Sequence, residues 1–188
     1  MWYVIQTMTG KEQELVEEIQ KLVPREAYDR CFYIRRQLLK RLGGEWLEVT
    51  ETLFPAYVFL EAREPEPVFF HLKQVPEFSR ILGDNQGTFI PLEAAETAFL
   101  QTICRNSEKT GPFFLVNLSR LWLNEDGSIR RIAGPLLAFQ EQIVRLNLRK
   151  RYAMVHTPLC GGERNALLGV RIEEAAGAPK AISMDFDT

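Results

Sequence analysis

Apolar residues recur along this chain with two periods, every second and roughly every fourth position, but one stretch, residues 52–62 with the sequence TLFPAYVFLEA, is apolar at both alternations. Read as a strand, it sets Phe54, Ala56, Val58 and Leu60 on one side and Pro55, Tyr57 and Phe59 on the other, since successive strand residues face opposite ways. Neither face can be left in water. One is expected to pack on helices of its own unit, and the other to lie under more of this chain or under a partner. Pro55 lacks an N–H and belongs at the strand's start or on an edge.

Around this strand the pattern predicts an alternating order. Trp2 to Thr7 reads as a strand, and Thr9 with Glu12 as a capping box ahead of a helix whose Leu15, Val16, Ile19, Leu22 and Val23 recur at helical spacing up to Pro24. Cys31 to Arg36 is a second strand, and Gly43–Gly44 breaks the chain before Trp46 to Glu51, a hairpin arm. Pro65 and Pro67 open a helix with Val68, Phe69, Leu72 and Val75 inside; Phe78 to Leu82 and Thr88 to Ile90 are strand material flanking Gly83 to Gly87. Pro91 begins a third helix with Ala95, Phe99, Leu100 and Ile103 inward. The order β-α-β-β-α-β plus a helix predicts a ferredoxin-like α+β domain over residues 1–105, an antiparallel sheet backed by helices. Residues 106–118 are polar at their start and contain Gly111 and Pro112, the pattern of a linker. Then the period shortens: Leu121–Leu123, Ser128–Ile132, Gln142–Leu148, Tyr152–His156 and Ala166–Ile172 are five short strands between turns, the signature of a small all-β barrel over 119–174. Residues 175–188 read as a flexible tail.

Composition is that of an ordinary globular chain, 188 residues with 46% hydrophobic and 26% charged. No run approaches a membrane span and the N-terminus has no signal-peptide pattern, so a cytoplasmic monomer is expected. Cys31, Cys104 and Cys160 are odd in number and far apart, which predicts reduced thiols and no zinc site. Charge is uneven: 13 Lys or Arg against 17 Asp or Glu over residues 1–118, but nine against six over 119–174. The second half is locally basic. No P-loop, GxGxxG, HExxH or GxSxG occurs, and two isolated histidines form no nucleophile–base set, so neither enzyme chemistry nor a cofactor is expected.

WYVIQT with the TGKEQELVEEI helix, then LFPAYVFLE, VPEFSRILG and IRRIAGPLLAFQEQIVRLNLRKRYAMV, resemble the NusG family of transcription elongation factors over residues 1 to about 174. That resemblance implies an N-terminal RNA polymerase-binding domain and, in the second half, a KOW domain with an SH3-like barrel. CFYIRRQLLKR, GGEWLEVTETLFPAYVF and GPLLAF with LNLRKRYA are most similar to specialised paralogues, LoaP-type antiterminators first and RfaH-type factors second. The implied activity is processive, operon-specific antitermination. Two other readings stay open: a general elongation or termination factor whose KOW domain binds protein, and a KOW RNA-binding module with no polymerase role. Three family glycines are replaced, by Ala56, Ala138 and Glu141; wherever one needs a positive φ, the replacement strains the turn by about 1 kcal/mol.

The resemblance assigns roles to residues. Phe54, Pro55, Tyr57 and Phe59, with Tyr3 as a neighbour, would grip the clamp helices of the polymerase's largest subunit, since helix docking favours aromatic anchors on a rigid sheet. His71 falls where specialised factors touch the opposite lobe. Lys11, Arg35, Arg36 and Lys73 would meet phosphates of non-template DNA. Arg130, Arg131, Arg149, Lys150 and Arg151, interleaved with Tyr152, form the expected surface for an RNA hairpin of a leader transcript. The bland alternatives are plain core for the aromatics and a solvated face for the cations.

Overall fold

The computed structural model describes residues 1–73 and 89–173. Strands β1 (Trp2–Gln6), β2 (Arg30–Leu42), β3 (Glu45–Thr52), β4 (Tyr57–Glu61), β5 (Phe89–Pro91), β6 (Glu108–Thr110) and β7 (Phe113–Val116) form one sheet in the order β5-β1-β4-β2-β7-β6, with β3 paired to β2. Helices α1 (Glu12–Leu22), α2 (Glu66–Lys73) and α3 (Ala94–Arg105) accompany it. Strands β8 (Ser119–Leu123), β9 (Ile129–Ala133), β10 (Ile143–Asn147), β11 (Tyr152–Leu159) and β12 (Gly162–Glu173) form a second sheet in the order β10-β11-β12-β8-β9, with a 3-10 segment over Pro135–Gln142. The fold is α+β.

The central strands of the first sheet are apolar on both faces, and both faces are covered. Tyr3, Ile5, Val58 and Leu60 point into a cluster closed by Leu15, Val16 and Ile19 of α1 and by Val68 and Leu72 of α2. Trp2, Val4, Phe32, Tyr57 and Phe59 point the other way, into a cluster that includes Leu100 and Ile103 of α3 and runs on into the second sheet through Leu136, Phe139 and Leu159. Full burial of one such side chain contributes about 1.5–3 kcal/mol, so each face is worth more than the net stability of a typical domain before chain entropy is subtracted. At the far end β2 and β3 leave the sheet as a two-stranded hairpin, closed by Gly43 at φ 60° and Gly44 at φ 91°. Two positive φ values in a two-residue loop match the strands' twist, which explains the Gly-Gly pair.

The two sheets meet closely at one point. A Cβ on Gly169 would lie 2.2 Å from the Gln37 carbonyl oxygen, so only glycine lets β12 come down on β2. Around that contact the Arg36 guanidinium donates to the Leu167 carbonyl at 2.8 Å, and the Leu118 N–H donates to Gln37 Oε1 at 3.1 Å.

Several expectations change. The strand expected from Thr52 turns at Leu53–Ala56 and starts only at Tyr57; Ala56 sits at φ 69°. That turn breaks the alternation and swings Phe54 onto the side of Tyr57 and Phe59. Thr9 makes no capping box: α1 begins after Lys11, with no side-chain cap, and Glu12 turns inward to accept the Ala56 N–H at 2.7 Å. Pro91 ends β5 instead of opening a helix; α3 is capped by the reciprocal Glu93–Glu96 box, and Ala95 is exposed while Glu96, Leu100, Ile103 and Cys104 face inward. Within residues 106–118 the chain forms the β6–β7 hairpin, and β7 pairs in parallel with β2 from Tyr33–Phe113 to Arg36–Val116. The run Phe113–Val116 carries four apolar residues, two of them buried, and sheet pairing is what buries them. Val75, Phe78–Leu82, Gly83–Gly87, Thr88 and the tail over 175–188 lie outside the described residues.

Candidate functional site

The aromatic face is built on the turn at Leu53–Ala56. The Leu53 N–H donates to the Ile34 carbonyl at 2.8 Å, the Thr7 N–H to the Ala56 carbonyl at 2.9 Å, and the carboxylate of Glu12, only 3% exposed, holds the Ala56 N–H. A positive φ at Ala56 therefore sits inside three hydrogen bonds that fix it. The turn presents Phe54 edge-on to Phe59, with ring centroids 6.0 Å apart, and to Phe99 of α3 at 6.4 Å. Behind them Phe32 stacks 5.7 Å from Phe59 and takes the edge of Trp2 at 5.7 Å.

This face is covered by the protein's own second half. Phe54 is 5% exposed, Tyr57 8% and Phe59 fully buried, while Pro55 is exposed at the rim. The Arg164 guanidinium donates to the Tyr57 hydroxyl at 2.7 Å and lies 5.3 Å from the ring centroid. The Gly161 N–H donates to Oε1 of buried Glu96 at 3.0 Å, and Phe139 packs 5.1 Å from Phe99. A cavity of about 300 Å³ remains between Phe54, Pro55 and Tyr57 on one wall and Glu163, Arg164 and Asn165 on the other. The cover is thus a hairpin tip held by these polar contacts together with the apolar packing of Leu136, Phe139 and Leu159, over a seam that is not completely packed.

Tyr3 does not join these rings. It pairs across the sheet with Leu60 and faces the α1 and α2 side, so Trp2 and Val4 are the β1 residues beside Phe59. His71, half-buried on α2, belongs to that same opposite side, next to Phe70, which is 64% exposed. Trp2, Phe99 and Arg164 join the aromatic face beyond the residues expected there; strand parity from the β1–β4 register points to Trp2, whereas nothing local in the sequence marks Arg164.

The expected cations fall in separate places. Lys11 pairs with Glu14 at 2.5 Å at the start of α1, and Lys73 caps the Phe69 ring at 4.2 Å on α2. Arg35 lies 5.2 Å from the Phe113 ring and donates to the Thr50 carbonyl at 3.3 Å. Arg36 is committed to the contact between sheets; burial lowers its pKa, and Glu51 at 3.6 Å opposes that shift. Arg130 and Arg131 are exposed on β9, with Arg131 4.8 Å from the Trp122 ring. Arg149, Lys150, Arg151 and Tyr152 stand at the β10–β11 turn, the other end of the strand order.

That turn meets the β2–β3 hairpin of the first sheet. Between them runs a groove of about 520 Å³, with Leu38, Leu42, Trp46 and Tyr152 in its wall. Its charged lining consists of Lys40, Arg41, Arg149 and Lys150, with no acidic residue. The Arg151 guanidinium lies 5.3 Å from the Trp46 ring, and its Nη1 has no hydrogen-bond partner. Trp46 went unnoticed in the sequence as more than a strand residue.

The thiols are poor nucleophiles. Burial drives the Cys31 pKa far up and that of Cys104 to about 12, and half-buried Cys160 is also raised by desolvation. Among the described residues no three His, Cys, Asp or Glu side chains converge on a metal position, and no helix is long and apolar enough to cross a membrane.

Residues 1–101 match the family model described as NusG, transcription termination factor nusG. The chain is similar to the transcription termination/antitermination protein NusG of Helicobacter pylori strain 26695, 21% identical over 165 residues covering 85% of this chain and 89% of that protein. It is also similar to NusG of Lactococcus lactis subsp. lactis IL1403, 29% identical over 90 residues that span 45% of this chain and 48% of that one. Among solved structures, the one described as domain interaction in Thermotoga maritima NusG aligns with 89% of this chain and 92% of its own at TM-score 0.46 and 19% identity.

Proposed function

The chain belongs to the NusG family, and from that premise we propose that it is a transcription elongation factor acting as an operon-specific processive antiterminator of LoaP type. In this reading residues 1–105 form the polymerase-binding domain, with β6 and β7 as an addition to its sheet. Residues 119–174 form a KOW barrel that recognises an RNA hairpin in a leader transcript, and the protein works in the cytoplasm without a cofactor. Phe54, Pro55, Tyr57 and Phe59 grip the clamp helices of the polymerase's largest subunit, and His71 reaches the opposite lobe. Bridging both sides of the cleft holds the clamp closed, so pausing falls by a population shift and not by chemistry. Lys11 and Lys73 add phosphate contacts to non-template DNA.

One observation carries this reading: an aromatic face whose cover is tied down by a polar latch, Arg164 to the Tyr57 hydroxyl and Gly161 to Glu96, beside an unfilled cavity. Binding to polymerase requires the second sheet to lift, and the bound coiled coil then replaces Arg164 and Phe139 over the rings. Two further features support a specialised paralogue. Ala56 holds at φ 69° a turn that glycine would make without strain, whereas Ala138 and Glu141 lie in the 3-10 segment, outside the residues with positive φ, so that turn is rebuilt instead of strained. Gly134 sits at φ 95°, where an added Cβ would lie only 3.2 Å from the Ser119 Cα, and so keeps the glycine that the Gly-Pro turn needs.

The test is transcription in vitro through a terminator on a template carrying the leader beside this gene. Readthrough should rise with the protein and not with a Tyr57→Ala variant whose circular dichroism is unchanged; unchanged polymerase binding by that variant removes Tyr57 from the site. A second reading is favoured by Leu137 and Val144, 51% and 57% exposed on the second half. Apolar patches there suit a protein partner, as in a general elongation factor. A gel shift on leader RNA at two salt concentrations separates the two, because phosphate contacts weaken steeply with salt; no binding at low salt ends the RNA role.

A further inference from the structure

The groove between the β2–β3 hairpin and the β10–β11 turn is built by both halves of the chain, and neither half makes it alone. Its wall is aromatic and aliphatic while its charged lining is entirely cationic. An acidic peptide would use the cations but not the exposed part of the indole, whose ring already meets the Arg151 guanidinium; a nucleotide uses both, phosphate on the rim and base against the ring. The parts are also held in advance. The Gly43–Gly44 loop fixes the hairpin, Arg41 Nε donates to the Gly44 carbonyl at 3.1 Å, and the Asn147 side chain accepts the Lys150 N–H at 2.9 Å to lock the opposite turn. Lys40 has its own counter-ion in Glu51, whereas Arg149 and Lys150 are exposed.

We infer that this groove receives an unpaired nucleotide of the bound RNA, with Trp46 as the stacking surface and Arg41, Arg149 and Lys150 as the phosphate contacts. The inference rests on the RNA reading above and gives it a register: a base-paired stem lies along the basic turn, and one looped-out base enters between the two halves. Recognition of RNA then belongs to the closed form that precedes polymerase binding, since Trp46 and Lys150 come from different sheets and part when the second sheet lifts.

The experiment uses the full chain with three probes, the leader hairpin with its loop, a blunt duplex of the same stem, and the hairpin made in DNA. Wild type is expected to prefer the looped RNA. Trp46→Ala should weaken that probe about ten-fold, the range of one base–aromatic stack, with the salt dependence unchanged because no phosphate contact is lost. Trp46→Phe should recover most of the affinity, which a merely structural role would not produce, and Lys150→Ala should instead lower the salt slope by about one. Equal binding of looped and blunt RNA, or no effect of Trp46→Ala on an otherwise tight complex, overturns the groove while leaving the RNA reading standing. Equal binding of the DNA hairpin overturns the assignment to RNA. Failure of wild type to bind either RNA at low salt brings down the RNA reading itself, and the groove with it.

Discussion

The two faces of the first sheet are made by neighbouring residues of the same strands, yet they are buried in different ways. On one face Leu60 and Val58 meet the apolar side chains of α1 and α2, helices that follow β1 and β4 directly in sequence. On the other, Tyr57 and Phe59 are buried just as deeply, but the outermost cover is a hairpin from a distant part of the chain, fastened at Arg164 and Gly161. Exposure does not tell these faces apart. What separates them is where the cover comes from: helices α1 and α2 on one side, and on the other α3 with a hairpin of the second sheet, held by apolar packing through Leu136, Phe139 and Leu159 as well as by the Arg164 and Gly161 hydrogen bonds.

Substitutions on the two faces should therefore fail differently. Leu60→Ala opens a cavity under α1 and α2 and should lower global stability by about 3 kcal/mol in denaturant titration; a loss below about 1 kcal/mol would mean that this face too is loosely held. Gly169→Ala forces a Cβ toward the Gln37 carbonyl and should destabilise the contact between sheets by about 2 kcal/mol while the first sheet stays folded. Amide chemical shifts confined to the interface would report it, and affinity for looped RNA should fall with it. Arg164→Ala and Tyr57→Phe should each cost about 1 kcal/mol and together little more, because they remove one shared hydrogen bond; additive losses would show that the latch is two independent contacts. Ala56→Gly should raise stability by about 0.5–1 kcal/mol by releasing the left-handed strain. The smallest effect belongs to the hairpin. The Lys40 hydrogen bond keeps the Glu51 carboxyl below its ordinary 4.5, against partial burial. Its contribution is complete above 4.5 and fades as pH falls through the lower native value, so Glu51→Gln should flatten the acid side of a melting-temperature profile slightly.

The strands and helices of the first half from β1 to α2 and the five strands of the second were legible in the sequence because their apolar periods are strong and glycines punctuate them. The short β6–β7 hairpin, which reads as a linker, escaped, and the rest of what escaped was tertiary. Phe54 changed sides because Ala56 adopts a backbone region that alanine rarely enters, and no periodicity argument anticipates that. Glu12 looked like half of a capping box and is instead the buried acceptor for the Ala56 N–H, a partner 44 residues away. The aromatic cluster was visible as a two-faced strand, and of the two covers the pattern allowed, the chain supplies its own. The groove at Trp46 was invisible because its two walls lie about a hundred residues apart in sequence and are brought together by contacts between the sheets, the close approach at Gly169, Arg36 on the Leu167 carbonyl and Arg151 over the Trp46 ring among them.

In the proposed opening, the β6–β7 hairpin sets how far the second sheet can travel. β7 ends at Val116 and β8 begins at Ser119, so Asn117 and Leu118 are the whole tether between the sheets. The three Cα–Cα steps from Val116 to Ser119 reach about 10 Å at full stretch. Swinging farther means unzipping β7 from β2, which turns residues 106–118 from sheet into rope. The extra length of such a leash would be stored as hydrogen bonds between β7 and β2, the strand that carries Arg36.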